Sequence, residues 1–101
     1  MMKNEMCLEF DSISANEAFA RVTVAAFMTQ MNPSMEEVAD VKTAVSEAVT
    51  NAIIHGYEGE VHKIVIRGRI DGEWLELSVE DRGVGIADVE KAMEPLYTTR
   101  P

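Results

Sequence analysis

The chain has 101 residues, and its nine Lys and Arg against eighteen Asp and Glu give a formal net charge of −9. This length suits one domain, and a hydrophobic content of 47% argues against disorder. Affinity for nucleic acids and anionic membranes depends on Lys and Arg, so the acidic balance disfavours both as direct partners. A single cysteine excludes an internal disulfide, and we expect a cytoplasmic protein.

The N-terminal part is predicted to form a strand and then a helix. Apolar and polar residues alternate over residues 6–10, which is typical of a half-buried strand. Ser14 and Glu17 are spaced as in a capping box, so a first helix is expected from there to about Met31, with Asn32 and Pro33 ending it. Its buried side is predicted to consist of Phe19, Val22, Ala25 and Ala26.

A longer second helix follows. Ser34 and Glu37 form a second capping-box pattern, and Gly56 is suited to ending the helix. Apolar residues at spacings of three and four define its buried stripe, which comprises Val38, Val41, Val45, Ala48 and Ala52.

The remaining sequence is predicted to be mainly β. Residues 64–70 and 75–79 alternate as strands, with Asp71 and Gly72 as the turn of a hairpin. A glycine-containing loop and a short helical stretch at residues 88–93 are expected next. The order β-α-α-β-β predicts an α+β fold, a two-layer α/β sandwich, and we expect at least one more strand to follow so that the sheet covers both helices.

The second helix carries the first candidate site. Glu47, Asn51 and His55 recur every four residues and therefore share one helix face. A carboxylate one turn from a carboxamide suits phosphoryl transfer, because the carboxylate can accept a hydroxyl proton and the amide oxygen can bind Mg²⁺. On spacing alone a solvated helix face is the commoner explanation, and His55 is more simply a structural histidine at a helix end.

The second candidate site is the run Asp81, Arg82, Gly83, Val84, Gly85. Two glycines spaced by two allow a ligand to approach the backbone, and Asp81 could accept a hydrogen bond from an exocyclic amine such as that of adenine. A tight turn after a strand explains the pattern equally well. It is neither a dinucleotide-binding fingerprint nor a phosphate-binding P-loop, because the third Gly and a Gly-Lys-Ser/Thr are missing.

The two motifs in this order are far more specific than either alone. The arrangement resembles the N box and G1 box of the GHKL (Bergerat) ATP-binding fold of histidine kinases, gyrase, Hsp90 and MutL. Residues 16–27, 46–57, 81–86 and 94–99 more narrowly resemble the anti-sigma-factor serine kinases of spore-forming bacteria. The resemblance covers essentially the whole chain, as one incomplete GHKL domain over residues 1–101.

The resemblance implies a role for each matching residue. Glu47 is the catalytic general base, Asn51 binds the Mg²⁺ that bridges the ATP phosphates, and Asp81 accepts from the adenine amine. Arg21, on the first helix, contacts partner proteins. The other implied nucleotide-binding residues are two glycines of the pocket floor and two threonines at the start of the ATP lid: Gly83, Gly85, Thr98 and Thr99.

The resemblance also implies partners. The family binds a sporulation sigma factor, here sigma factor F, and uses ATP and Mg²⁺ to phosphorylate a serine of an anti-anti-sigma factor. A homodimer is implied too, through the sheet face or edge near residues 6–10. Two alternatives stay open: a sigma-factor-binding module without catalysis, and the ATP-binding domain of a histidine kinase, although no dimerisation helix with a phosphoacceptor His precedes the first strand.

Two departures from the family pattern lead to further expectations. The family continues into a mobile lid and a second glycine-rich motif, the G2 box, so we expect this sequence to be a fragment whose phosphate binding is weak. The segment of residues 58–62 is shorter and more acidic than usual. We expect that difference to affect a surface loop and not the chemistry.

Overall fold

The structure, a computed structural model, describes residues 2–55, 60–82 and 95–99. Within these residues an antiparallel sheet has four strands in the order β1-β2-β3-β4. The elements in chain order are β1 (Lys3–Asp11), α1 (Ala15–Met28), a 3₁₀ turn (Thr29–Met31), α2 (Met35–His55), β2 (Lys63–Asp71), β3 (Trp74–Arg82) and β4 (Pro95–Thr99).

The core lies between the two helices and one face of the sheet. Alternation places every second residue of β1, β2 and β3 on this face, and the register sets Phe10 opposite Ile64 and Ile70 opposite Leu75. These side chains pack with Val41, Val45 and Val49 of α2 and with buried residues of α1 in one cluster. The predicted two-layer α+β sandwich and the apolar stripe of α2 are therefore confirmed.

The predicted buried side of α1 is wrong. The buried residues are Ala20, Val24, Phe27 and Met28. Phe19 and Val22 are instead 49% and 58% exposed. Because α1 is apolar around most of its circumference, its sequence contains two stripes with helical spacing, and only contact with the sheet and α2 selects one of them. The other stripe stays on the surface, where Phe19 meets Phe10 edge to face at a centroid distance of 6.3 Å.

One predicted capping box forms and the other does not. Ser34 N–H donates to Glu37 Oε1 at 2.8 Å, and Glu37 N–H donates to Ser34 Oγ at 3.0 Å, which is the complete reciprocal box. Ser14, by contrast, has helical dihedrals and makes no side-chain cap hydrogen bond. Glu17 is held elsewhere, by Ser46 of α2 and Arg21.

The hairpin is confirmed, but its turn is shifted by one residue. The turn consists of Gly72 and Glu73, and Asp71 pairs with Trp74. Gly72 has a φ of 63°, as the first turn position of a type II′ turn requires. A turn at Asp71 and Gly72 would have set Ile70 opposite Glu73, whereas the observed register buries Ile70 against Leu75.

A further strand forms within the chain itself. β4 pairs with β3 in antiparallel orientation, with Leu77 opposite Tyr97. The sequence predicts a further strand only after residue 101, because a five-residue segment that starts with Pro gives little alternation to detect. The predicted helical stretch at residues 88–93 and the predicted cap Gly56 lie outside the described residues.

Candidate functional site

Glu47 and Asn51 lie on the exposed side of α2. Burial of Val41, Val45 and Val49 fixes the opposite face of the helix against the sheet, so both polar side chains are left accessible. One helical turn separates them, which brings their Cβ atoms to about 5–6 Å. The structure thus presents a carboxylate and a carboxamide side by side on a rigid element, as the sequence predicts.

Asp81 occupies a different environment, near the end of β3. It follows Leu75, Leu77 and Val79 on the core face of the sheet, and it lies opposite Ile64 in the register. Its side chain is only 8% exposed. A carboxylate buried in this way is costly unless polar groups contact it, so the nature of its partner matters for the whole site.

His62 supplies that partner. Its Nε2 lies 2.6 Å from Asp81 Oδ1, and the imidazole side chain is 5% exposed. On the other side of the ring, Nδ1 lies 3.1 Å from Ser12 Oγ and 3.3 Å from the Glu60 carbonyl oxygen. From the sequence, the unusual segment of residues 58–62 is expected to alter only a surface loop and not the chemistry. That expectation is wrong for His62, which reaches into the core and contacts the predicted adenine acceptor.

The backbone of His62 is fixed as firmly as its ring. Ser12 N–H donates to the His62 carbonyl oxygen at 2.8 Å, and His62 N–H donates to Ser12 Oγ at 2.9 Å. Contacts link Ser12, His62 and Asp81 in that order, as in the catalytic triad of a serine hydrolase. However, Ser12 is buried and its Oγ already accepts a hydrogen bond from a backbone amide. Ser12 is therefore an anchor for His62, since an attacking hydroxyl would need access to a substrate.

Arg21 is tied to the helix that carries Glu47. Its guanidinium Nη1 lies 3.3 Å from Glu17 Oε2 one turn earlier in α1, and it is 36% exposed. Ser46 Oγ, the neighbour of Glu47 in the chain, donates to the same Glu17 oxygen at 2.8 Å. The predicted partner-binding arginine and the predicted catalytic helix are thus joined through one carboxylate.

Four of the predicted site residues are not brought into this arrangement by any described contact. Gly83 and Gly85 lie outside the described residues. Thr98 and Thr99 lie in β4, opposite Glu76 and Leu75. Their implied roles in nucleotide binding stay predictions, as does any role of His55, the last residue of α2.

The donor atoms of α2 fit a magnesium nucleotide. Asn51 offers an amide oxygen and Glu47 a carboxylate, both hard ligands. Across residues 2–55, 60–82 and 95–99, no three His, Cys, Asp or Glu side chains gather into a metal cluster. Mg²⁺ commonly needs only one or two protein ligands because substrate phosphates and water supply the rest.

Of the helices described, none is long and apolar enough to cross a membrane.

Sequence reasoning missed three contributors: Ser12, Ser46 and His62. A pairing between residues 50 positions apart, such as Ser12 with His62, leaves no periodic signal. One signal was available for His62. It directly precedes strand β2, whose even-numbered residues are buried, so its parity places it on the core side.

The chain is similar to known proteins over nearly its whole length. Residues 12–100 match the family model of the histidine kinase-like ATPase domain. An anti-sigma F factor of Oceanobacillus iheyensis is 55% identical over 101 residues, which is 99% of this chain and 69% of that protein. Anti-sigma F factors of Halalkalibacterium halodurans and Clostridium kluyveri are 56% and 55% identical, covering 99% and 100% of this chain and 69% and 71% of their own lengths.

Proposed function

Because this chain belongs to the histidine kinase-like ATPase domain family, we propose that it is an ATP-dependent protein serine kinase that also binds and inhibits sigma factor F. The observation that carries the proposal is the accessible pair Glu47 and Asn51 on α2, a helix that also contacts β3, the strand of Asp81. Similarity to anti-sigma F factors over 99% of this chain and 69% of their lengths supports the sigma-factor part.

In this proposal Asp81 binds the base of the nucleotide and Asn51 binds its magnesium-bound phosphates. The Asp81 carboxylate only accepts hydrogen bonds when ionised, so it selects a base edge that donates, such as the 6-amine of adenine. Asn51, with its neutral amide oxygen, would hold Mg²⁺ together with the ATP phosphates. Bound Mg²⁺ neutralises charge that develops on the phosphates.

Glu47 acts on the protein substrate. As the serine oxygen forms its bond to the γ-phosphorus, the bond from that phosphorus to the bridging oxygen of ADP breaks, and the hydroxyl proton passes to the Glu47 carboxylate. The exposure of Glu47 on α2 suits this role, because the hydroxyl comes from a second protein that must reach it. We infer that this second protein is an anti-anti-sigma factor.

The surface of α1 supports a partner-binding role. Phe19 and Val22 expose large apolar area beside the partly exposed Arg21. An accessible apolar stripe bordered by a cation is typical of a protein interface, where aromatic residues and Arg are enriched. The sigma factor would bind this helix. A homodimer would use β1, which is at the edge of the described sheet and can pair through its free side.

The decisive experiment compares Glu47→Gln with Glu36→Gln in the full-length gene product. Glu36 is an exposed glutamate in the first turn of the same helix and serves as the matched control. We expect Glu47→Gln to lower phosphotransfer to the anti-anti-sigma serine by about 10²–10⁴-fold, with Mg-ATP affinity little changed. Unaltered phosphotransfer in Glu47→Gln would refute the catalytic assignment. Sigma-factor binding without any wild-type phosphotransfer would favour a module that lacks catalysis.

A further inference from the structure

We propose that His62 is a positioning residue for Asp81, which it orients to accept the exocyclic amine of a bound adenine. This inference rests on the proposed ATP binding and adds to it a residue that selects the base. It is carried by the contact of 2.6 Å between His62 Nε2 and Asp81 Oδ1 in a buried setting, with both side chains below 10% exposure.

The contact with Asp81 places one hydrogen of the ring. An ionised carboxylate oxygen only accepts, so the nitrogen that faces Asp81 must carry a hydrogen. On the other side of the ring, Nδ1 lies 3.1 Å from Ser12 Oγ, which accepts from His62 N–H, and 3.3 Å from the Glu60 carbonyl oxygen. A hydrogen on Nε2 therefore faces the Asp81 carboxylate, while the contacts of Nδ1 hold the other side of the ring.

The anchor behind the ring is rigid. One backbone hydrogen bond, from Ser12 N–H to the His62 carbonyl, and one from His62 N–H to Ser12 Oγ fix the segment before β2 to the end of β1. The imidazole is thus held from the side remote from Asp81, and it can hold the carboxylate in turn. Carboxylate torsions are broad when nothing constrains them, so a fixed donor at Oδ1 reduces the orientational freedom that would otherwise be lost on ligand binding.

The carboxylate retains capacity for a ligand. Two oxygens provide about four acceptor positions, so contact with one imidazole N–H does not exhaust Asp81. A 6-amino group can share the carboxylate, whereas a base that lacks the amine gains nothing from its orientation. The role of His62 should therefore appear as a preference between two nucleotides, and not as a general loss of binding.

The test measures two dissociation constants by calorimetry, for Mg-ATP and for the magnesium complex of purine riboside triphosphate, which lacks the 6-amine. We expect the full-length wild-type protein to prefer ATP by about tenfold, the size of one charge-assisted hydrogen bond. His62→Leu should reduce this preference to about twofold or less and leave the affinity for the analogue unchanged. His62→Gln, whose amide N–H can reach towards Asp81, should restore most of the preference.

Each other outcome overturns the inference in a recognisable way. A preference of about tenfold that persists in folded His62→Leu leaves the proposed function intact and removes His62 from base selection. Equal losses for both nucleotides identify His62 as a purely structural residue. If wild-type protein binds neither nucleotide, the proposed ATP binding fails, and this inference fails with it.

A spectroscopic measurement covers the case in which His62→Leu does not fold. The chain has two histidines, so a His55→Gln variant assigns the ¹⁵N resonances of His62 directly. We expect the wild-type ring to carry a hydrogen on Nε2, and Asp81→Asn to shift the His62 resonances. An imidazole protonated only at Nδ1 would contradict the proposed contact.

Discussion

Ser46 Oγ donates a hydrogen bond of 2.8 Å to Glu17 Oε2, and this bond joins α2 to α1 directly beside Glu47. The same oxygen lies 3.3 Å from the Arg21 guanidinium. A single carboxylate therefore organises the predicted partner-binding arginine and anchors it to the helix of the predicted catalytic base.

Replacement of Ser46 by Ala should lower stability. The mutation removes a partly buried hydrogen bond to a charged group, and the better helix propensity of Ala offsets part of the loss, so we expect the free energy of unfolding to fall by about 1 kcal/mol. Urea denaturation measures the change. Thr43→Ala, at an exposed position of the same helix, is the control and should change stability by less than about 0.5 kcal/mol. Equal effects of the two mutations would contradict a role for the Ser46–Glu17 bond.

The two serines that precede the helices provide a matched pair. Ser34 makes both hydrogen bonds of its capping box, whereas the Ser14 side chain makes no cap bond. We expect Ser34→Ala to cost about 1 kcal/mol of unfolding free energy and Ser14→Ala less than about 0.5 kcal/mol. Thermal unfolding of both variants would rank them. A larger loss for Ser14→Ala would show that α1 begins differently from the described structure.

Gly68 lies in the middle of β2, where three side chains converge on it. A Cβ atom at this position would meet Phe27 Cε2 at 3.1 Å, Met6 Cγ at 3.2 Å and Leu77 Cδ2 at 3.3 Å. All three neighbours are side chains that must give way together, so Gly68→Ala should destabilise the fold by about 1–3 kcal/mol. The control is Arg69→Ala, an exposed position of the same strand whose ion pair with Glu76 lies in solvent. A Gly68→Ala protein as stable as wild type would mean that this part of the core is looser than described.

Lys63 provides a test by pH. Its Nζ lies 2.5 Å from Asp11 Oδ1, and this hydrogen bond, with the charge of Asp11, raises the pKa of Lys63 above its usual value. A raised pKa in the folded state stabilises the fold below the unfolded value of about 10.4, and the contribution is lost as pH rises through the folded value. NMR titration should show the elevated pKa in wild type and its return towards normal in Asp11→Asn. An identical Lys63 titration in both proteins would exclude the pair as its cause.

Local patterns in the sequence were enough to predict most of the fold. The stripe of α2 was predicted because a single apolar face at helical spacing has one way to pack, and the box of Ser34 and Glu37 depends only on residues three apart. The buried face of α1 was predicted wrongly because apolar residues lie around most of the helix, and only contact with the sheet determines which of them are buried. The hairpin turn moved by one residue because burial of Ile70 against Leu75 outweighs the local preference of Asp71 and Gly72.

In the candidate site, too, local relationships could be predicted from the sequence and long-range contacts could not. Glu47 and Asn51 could be paired in advance because one turn of one helix separates them, and the structure leaves both exposed. His62 could not be joined to Asp81 in advance, since the contact crosses from β3 to the segment before β2 and its anchor is Ser12 at the end of β1. Contacts between distant parts of the chain are set by strand register, which becomes known only when the sheet has formed.

Recognition of ATP through Asp81 is tested most directly by calorimetric titration of Mg-ATP into the full-length gene product and its Asp81→Asn variant. An amide in place of the carboxylate presents a donor to the adenine amine, so we expect measurable binding by wild type and an affinity at least about tenfold weaker for Asp81→Asn. Absence of ATP binding by the folded wild-type protein, or equal affinity in the two proteins, would contradict it.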